Sequence, residues 1–207
     1  MKQDFYNFMK GLTDEDFLEY YITYQISPIF TGIKPASLIG LDNKNRQLLS
    51  LWYRAGENYL NALNLKSITL RKYDGKDLIL IYNEKLLVES IHKHGNSYFL
   101  SKLGYTDFDN IEIILNHLYE RYNKYHCPHE IGIFLGIPLS DVEAFIECKE
   151  KQCLFCGYWK VFSNEEKAKK VFRIYDWSKE MVIHYSLMGK DIPWIVNTLK
   201  LSKSLSI

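Results

Sequence analysis

The stretch SITLRKYDGKDLILIYN, residues 67–83, constrains the fold of this chain more than any other segment. Two runs rich in β-branched and aromatic residues flank the dipeptide Asp74-Gly75. This dipeptide is a strong signal for a tight turn between antiparallel strands. The sequence therefore predicts a β-hairpin over about residues 67–82.

Most of the remaining chain carries helical patterns, in which apolar side chains recur every three or four residues. Thr13 is the predicted N-cap of the first helix, and Ser163 with Glu166 forms a predicted capping box for a later one. Because prolines and a glycine interrupt residues 26–41, we expect a loop or short turns there. The predicted helices cover about residues 13–25, 42–63, 84–95, 109–125, 138–151, 164–188 and 191–202.

The order of these elements indicates an α+β fold. We expect a mostly helical protein with a small antiparallel sheet, made of the hairpin at about 67–82 and a strand at about 153–162. The length of 207 residues suits a single globular domain, residues 1–207, with a C-terminal tail, residues 190–207, at its periphery.

Charge and composition argue against several classes of function. A net charge of +1 provides no overall field that would attract nucleic acid. No apolar run approaches the roughly 20 residues that span a bilayer, and acids interrupt the N-terminal segment where a signal peptide needs its apolar core. We therefore expect a cytoplasmic protein without a membrane partner, whose four cysteines are reduced thiols or metal ligands.

The segment EIGIFLGIPLSDVEAFI, residues 130–146, has the spacing of a helix-turn-helix. Gly136 would lie in the turn, and Val142 and Phe145 would pack the second helix onto the first. The would-be recognition helix carries Asp141 and three glutamates, which would face DNA phosphates. The pattern therefore predicts a packing element rather than a nucleic-acid interface.

Cysteines and histidines cluster between residues 126 and 156, and thiolate and imidazole are the groups that zinc and iron prefer. Residues three apart in a strand point to opposite faces, so Cys153 and Cys156 reach one ion only if the segment bends, as in a knuckle. Small buried thiols are the favoured alternative. The candidate metal ligands are His126, Cys127, His129, Cys148, Cys153 and Cys156.

Four residues are candidates for catalysis: His129, Glu130, Cys156 and Lys160. A histidine near a cysteine can generate a thiolate nucleophile, with Glu130 orienting the imidazole. Since ionised groups are costly to bury unpaired, we expect Glu130 to pair with Lys160 and His129 to face a pocket. The structural alternative is a capping histidine and a glutamate that complements the helix dipole. These spacings specify no cofactor.

The motifs PHEIGIFLGIPLSDVEAFI and CGYWKVF resemble a bacterial family of unknown function, DUF3793, typical of anaerobic Gram-positive bacteria. The segments LILIYNEKLL and LGYTDFDNIEIILNHLYER are also similar to that family, and the resemblance covers about residues 15–190. The family pattern carries over to Lys34, Pro35, Tyr82, Gly104, Tyr105, Pro128, His129, Glu130, Gly132, Gly136, Pro138, Asp141, Val142, Gly157, Tyr158, Trp159 and Lys160.

Two positions depart from the family pattern. An aromatic residue usually stands where this chain has Cys127, which implies that Cys127 is not a shared ligand. A cysteine often stands where this chain has Ile26, so a two-cysteine redox role for Cys156 would lack that partner here. The resemblance implies redox or iron-linked physiology and no established activity.

Three functions are compatible with these features. The first is a small-molecule or cofactor site on the catalytic candidates, with Lys34, Tyr158 and Trp159 as ligand-binding residues; it predicts a concave pocket. The alternative is an interaction module without a catalytic site, whose exposed aromatic residues bind a protein such as a redox partner; it predicts an apolar surface patch. The second alternative is a metal-binding protein that uses the 126–156 cluster.

Overall fold

A three-stranded antiparallel sheet lies at the centre of the computed structural model, which describes residues 2–147 and 152–202. The strands β1 (Ala36–Asp42), β2 (Lys66–Tyr73) and β3 (Lys76–Tyr82) have the spatial order β1-β3-β2. The mostly helical α+β prediction is therefore confirmed.

The predicted hairpin is formed by β2 and β3, with Tyr73 opposite Lys76 across the turn. Asp74 and Gly75 both have positive φ, 48° and 72°. Turns with this backbone twist match the twist of the flanking strands, and Asp-Gly adopts them readily. The local sequence therefore determines this part of the sheet.

Helices cover both faces of the sheet. A π-helical turn, Trp52–Gly56, joins the helices at residues 48–51 and 57–62 into one continuous helical segment. The α-helices are α1 (Lys2–Lys10), α2 (Asp14–Phe30), α3 (Leu48–Leu51), α4 (Glu57–Ala62), α5 (Glu84–Ile91), α6 (Asn96–Ser101), α7 (Ile111–Tyr125), α8 (Ile131–Phe134), α9 (Leu139–Glu147), α10 (Glu165–Leu187) and α11 (Ile192–Leu201).

The loop predicted over residues 26–41 is wrong. Helix α2 continues through Pro28 to Phe30, and β1 begins at Ala36 and pairs with β3. A proline inside a helix leaves the carbonyl four residues earlier without its amide donor. The hydroxyl of Ser27 donates to that carbonyl, Tyr24 O, at 3.1 Å, and so helps to compensate for the missing bond.

The sheet separates two apolar cores. Ile79 and Ile81 of β3 face a core that includes α2, α10 and α11, whereas Leu80 and Tyr82 face a second core formed with α5 to α9. A strand that is buried on both faces reads as a continuous apolar run, as LILIY does.

The single strand predicted at about 153–162 is also wrong. The segment folds back on itself as β4 (Phe155–Cys156) and β5 (Lys160–Val161), which pair antiparallel. Gly157 at the bend lies so close to α10 that a Cβ there would be 2.3 Å from the ring of Phe172. The bend therefore depends on the glycine and on the aromatic ring beneath it.

None of the helices in the described ranges is both long enough and apolar enough to cross a membrane.

Candidate functional site

Helices α8 and α9 are joined by a tight turn, as the helix-turn-helix spacing predicted. Gly136 in this turn has φ of 79°, and Val142 packs so closely on Gly132 that a Cβ there would be 2.7 Å from a Val142 methyl. Phe145 is exposed rather than packed onto α8. The turn places the start of α9 against the start of α10.

Asp141, only 2% exposed, ties these elements together. Its Oδ1 accepts hydrogen bonds from the amides of Phe162 and Ser163 at 3.0 and 2.9 Å, and from the Ser163 hydroxyl at 2.9 Å. Its Oδ2 accepts from Trp159 Nε1 at 2.8 Å. Four donors therefore saturate this carboxylate and hold the β4–β5 hairpin on α9.

The predicted capping box at Ser163 is wrong for the same reason. Asn164 caps α10 instead, and its side chain accepts from the amide of Lys167 at 3.1 Å. Ser163 is one residue outside the cap and is engaged by Asp141.

A cleft of about 420 Å³ opens beside Asp141. Its walls come from the start of α9, the first half of α10, the segment 90–96 and the loop before β1. Gly136, Pro138, Asp141 and Trp159 line it. This volume lies within the range typical of small-molecule sites.

The charged side chains that line the cleft are mainly basic. Lys93, His94 and Lys167 line it, and within residues 2–147 and 152–202 no carboxylate lies within ion-pair distance of any of them. Asp141 is the acid among the described lining residues, and its oxygens are already occupied by the four donors above. Because the two lysines outnumber the one carboxylate, the described lining carries a net positive charge.

The three predicted ligand-binding residues gather around Tyr175 and Phe172 of α10. Trp159 lines the cleft and packs edge-on against Phe172, with 4.4 Å between ring centroids. Tyr158 packs edge-on against Tyr175 at 5.1 Å, and Lys34 Nζ lies 5.3 Å from the centroid of the same ring. Only Trp159 of the three contributes to the cleft wall.

Lys34 lies next to the cleft in a largely dehydrated position. Burial, together with the nearby positive charge of Lys179, lowers the pKa of Lys34 to about 8. Burial disfavours the ammonium form of a lysine, and a second cation adds to that effect.

We expect Lys34→Met to raise the free energy of unfolding at pH 7 by about 2 kcal/mol. Below pH 8 the ammonium is present in both states and is destabilising only in the folded one. Between the folded pKa and the unfolded value of 10.5, the unfolded chain binds more protons than the folded one. The stability of the wild type therefore rises with pH in this range, and the difference in free energy of unfolding between Lys34→Met and the wild type becomes smaller. Urea unfolding of the variant and the wild type at pH 7 and 9.5 measures this difference in stability. Lys170→Met, at an exposed position of α10, is the control, and a pH-independent difference would contradict the expectation.

The predicted pair of Glu130 and Lys160 is wrong. Glu130 is 2% exposed and forms its ion pair with Arg121 of α7, and the hydroxyl of Tyr105 donates to the same carboxylate at 3.3 Å. Lys160 is exposed, with Nζ 5.7 Å from the ring centroid of Phe145. Glu130 therefore joins α7 to the start of α8, inside the second core.

The other catalytic candidates do not meet Glu130 at one point. His129 is exposed and packs edge-on against Phe145 at 5.0 Å, so His129 and Lys160 share one aromatic neighbour on the surface. Neither residue lines the cleft. Cys156 lies beside Cys153, with 2.8 Å between the two Sγ atoms. Catalytic roles for these residues stay predictions.

The segment bends as a two-cysteine metal site would require, but the described residues supply few further ligands. Cys153 and Cys156 converge at the β4–β5 hairpin. Across residues 2–147 and 152–202, no three side chains of the histidine, cysteine, aspartate or glutamate type are placed to hold one ion. Cys127 is exposed just after α7, and Cys148 lies outside the described residues.

Exposed apolar side chains bear on the interaction-module hypothesis. Phe145 and Ile146 of α9 are each 39% exposed, and Leu154 before β4 is 58% exposed. Nothing described identifies a partner for them, so this function stays a prediction.

Comparison with known proteins places these features in one family. The sequence profile described as "Protein of unknown function (DUF3793)" matches residues 22–196. The matched range contains the central sheet, the α8–α9 turn, the β4–β5 hairpin and every residue that lines the cleft. No curated protein and no solved structure matches the chain.

Proposed function

Because the chain belongs to the DUF3793 family, whose description names no activity, we propose from the cleft alone that it binds a small organic anion there. The observation that carries this proposal is the charge of the lining. Lys93, His94 and Lys167 lack acidic partners among the described residues, and they outnumber Asp141, whose oxygens already accept hydrogen bonds from neutral donors. Carboxylates and phosphates are the ligands that such a lining stabilises best.

The N-terminal ends of two helices also favour a negatively charged ligand in the cleft. Helices α9 and α10 both begin at the cleft, and the N-terminal end of a helix carries partial positive charge. Glu165 and Glu166 in the first turn of α10 do not line the cleft, and both face Lys169 at 2.8 and 3.7 Å. One lysine offsets two glutamates, so a single net negative charge remains in this turn, outside the cleft wall.

The apolar part of the lining favours an organic ligand over a bare inorganic ion. Ile137, Leu139 and Val171 line the cleft together with the rings of Trp159 and Tyr175. Small-molecule sites typically combine such an apolar wall with a few polar groups that fix orientation. A carboxylate or phosphate ester with an aromatic or aliphatic portion fits this combination.

Phenyl phosphate is a suitable probe, and phenol is its matched neutral control. We expect phenyl phosphate to bind, and the double variant Lys93→Ala/Lys167→Ala to weaken its binding by about 10-fold or more, because two cations contribute on the order of 1.4 kcal/mol. Ligand-observed NMR titration measures the dissociation constants.

Lys170→Ala is the control for that test, because Lys170 is exposed on the same helix but does not line the cleft. It should bind phenyl phosphate as the wild type does. Equal binding of phenol and phenyl phosphate, or unchanged affinity in the double variant, would contradict the proposal.

A further inference from the structure

The β4–β5 hairpin brings two thiols into direct contact. Cys153 and Cys156 are three residues apart, and their Sγ atoms are separated by 2.8 Å. The backbone holds this bend through two hydrogen bonds, from Leu154 N to Val161 O at 2.8 Å and from Gly157 N to Trp159 O at 3.1 Å. The thiols are therefore held together by the fold of the hairpin.

The two sulfurs differ in their access to solvent. Cys156 is exposed, whereas Cys153 is partly buried. The neighbouring Cys153 thiol raises the pKa of Cys156, and the positive charge of Lys160, opposite Cys156 in the strand register, offsets that effect only in part. An exposed first thiol with a second thiol directly behind it is the arrangement that thiol–disulfide exchange requires.

We propose that Cys153 and Cys156 form a dithiol that is oxidised reversibly by low-molecular-weight disulfides. The Cys156 thiolate attacks one sulfur of oxidised glutathione, forms a mixed disulfide and releases one glutathione. The Cys153 thiolate then attacks Cys156 Sγ, closes the Cys153–Cys156 disulfide and releases the second glutathione. The dithiol loses two electrons and two protons, and one glutathione disulfide becomes two thiols.

This inference is independent of the proposed anion site, because neither cysteine lines the cleft. A metal centre is the competing use of two adjacent thiols. Structural zinc sites take four ligands, and in the described ranges no third histidine, cysteine or carboxylate joins this pair. Exchange chemistry needs only the two sulfurs that the hairpin supplies.

The test uses the full-length protein, prepared reduced and without oxygen, and incubated with oxidised glutathione. Samples are quenched by alkylation and analysed by mass spectrometry. We expect the wild type to form the Cys153–Cys156 disulfide. Cys153→Ser should accumulate a glutathione mixed disulfide on Cys156, about 100-fold above its level in the wild type, since the adjacent thiol acts at a high effective concentration.

Three further variants and one metal analysis make the outcome decisive. Cys156→Ser should form neither product at this hairpin, and Cys127→Ser and Cys148→Ser should both behave as the wild type. A disulfide that links Cys127 or Cys148 to the hairpin would overturn the proposal. So would stoichiometric zinc in the reduced protein that protects both thiols from glutathione. Circular dichroism of each variant shows whether the chain is folded.

Discussion

Arg121→Met is expected to lower the free energy of unfolding by about 3–5 kcal/mol. Glu130 is almost completely buried, and Arg121 is the cation that compensates its charge. Without the guanidinium, the hydroxyl of Tyr105 is the polar contact that remains to the carboxylate. A buried carboxylate without a cation is strongly destabilising, whereas the intact pair is not especially stabilising. Urea unfolding monitored by tryptophan fluorescence measures the change.

A double-mutant cycle distinguishes this explanation from simple loss of packing. Because Arg121→Met/Glu130→Gln removes both charges, it should recover at least half of the lost stability. Lys124→Met is the matched control: Lys124 is exposed on the same helix and lies over the ring of Tyr125. It should change stability by no more than about 0.5 kcal/mol. If Arg121→Met matched this control, the buried pair would not have the role assigned to it.

Asp141→Ala is expected to cost about 3 kcal/mol of folding stability and to weaken binding in the cleft. The substitution removes the acceptor of the Trp159 indole and of the amides of Phe162 and Ser163, and it leaves the Ser163 hydroxyl with only Ser140 Oγ as a partner. These groups connect the β4–β5 hairpin to α9, so their loss also displaces a wall of the cleft. Urea unfolding and phenyl phosphate titration measure the two effects.

Asp141→Asn separates hydrogen bonding from shape. The asparagine side chain keeps one acceptor oxygen, but its NH2 group would face a donor that the carboxylate oxygen accepted from. We therefore expect a smaller loss of folding stability than with alanine. Glu147→Ala is the control, because Glu147 is an exposed acid on the same helix, and it should be nearly neutral. An equal loss in Asp141→Ala and Glu147→Ala would show that the buried carboxylate does not hold the hairpin.

Local features of the fold were predictable wherever neighbours along the chain decide the conformation. The turn at Asp74-Gly75 and the N-cap at Thr13 formed where the sequence predicted them. The predicted cap of α10 at Ser163 was wrong by one residue. Asp141, which is distant in sequence, accepts hydrogen bonds from Ser163, and Asn164 is the cap. Pro28 does not end α2, because the hydroxyl of Ser27 binds the carbonyl that the proline leaves without a donor, and the residues around the proline are buried.

The candidate site was predictable only in part. Trp159 lines the cleft as a predicted ligand-binding residue, whereas Lys93, His94 and Lys167 were missed. In the sequence these basic residues look like ordinary solvent-exposed charges near helix ends. No spacing pattern connects residues 93–94 with residue 167, and only the fold places α10 and the segment 90–96 on walls of the same cleft.

By itself, the sequence determined the central hairpin, most of the helices and the tight turn at Gly136, because each depends on backbone preferences within a few residues. The tertiary structure decided the partner of Glu130, the contact between the thiols of Cys153 and Cys156, and the charge of the cleft. The cleft joins side chains that are distant in sequence, and the ion pair joins α7 to the start of α8. The thiol contact needs a bend that Phe172, on another helix, helps to hold. Such contacts follow from packing, which local propensity does not encode.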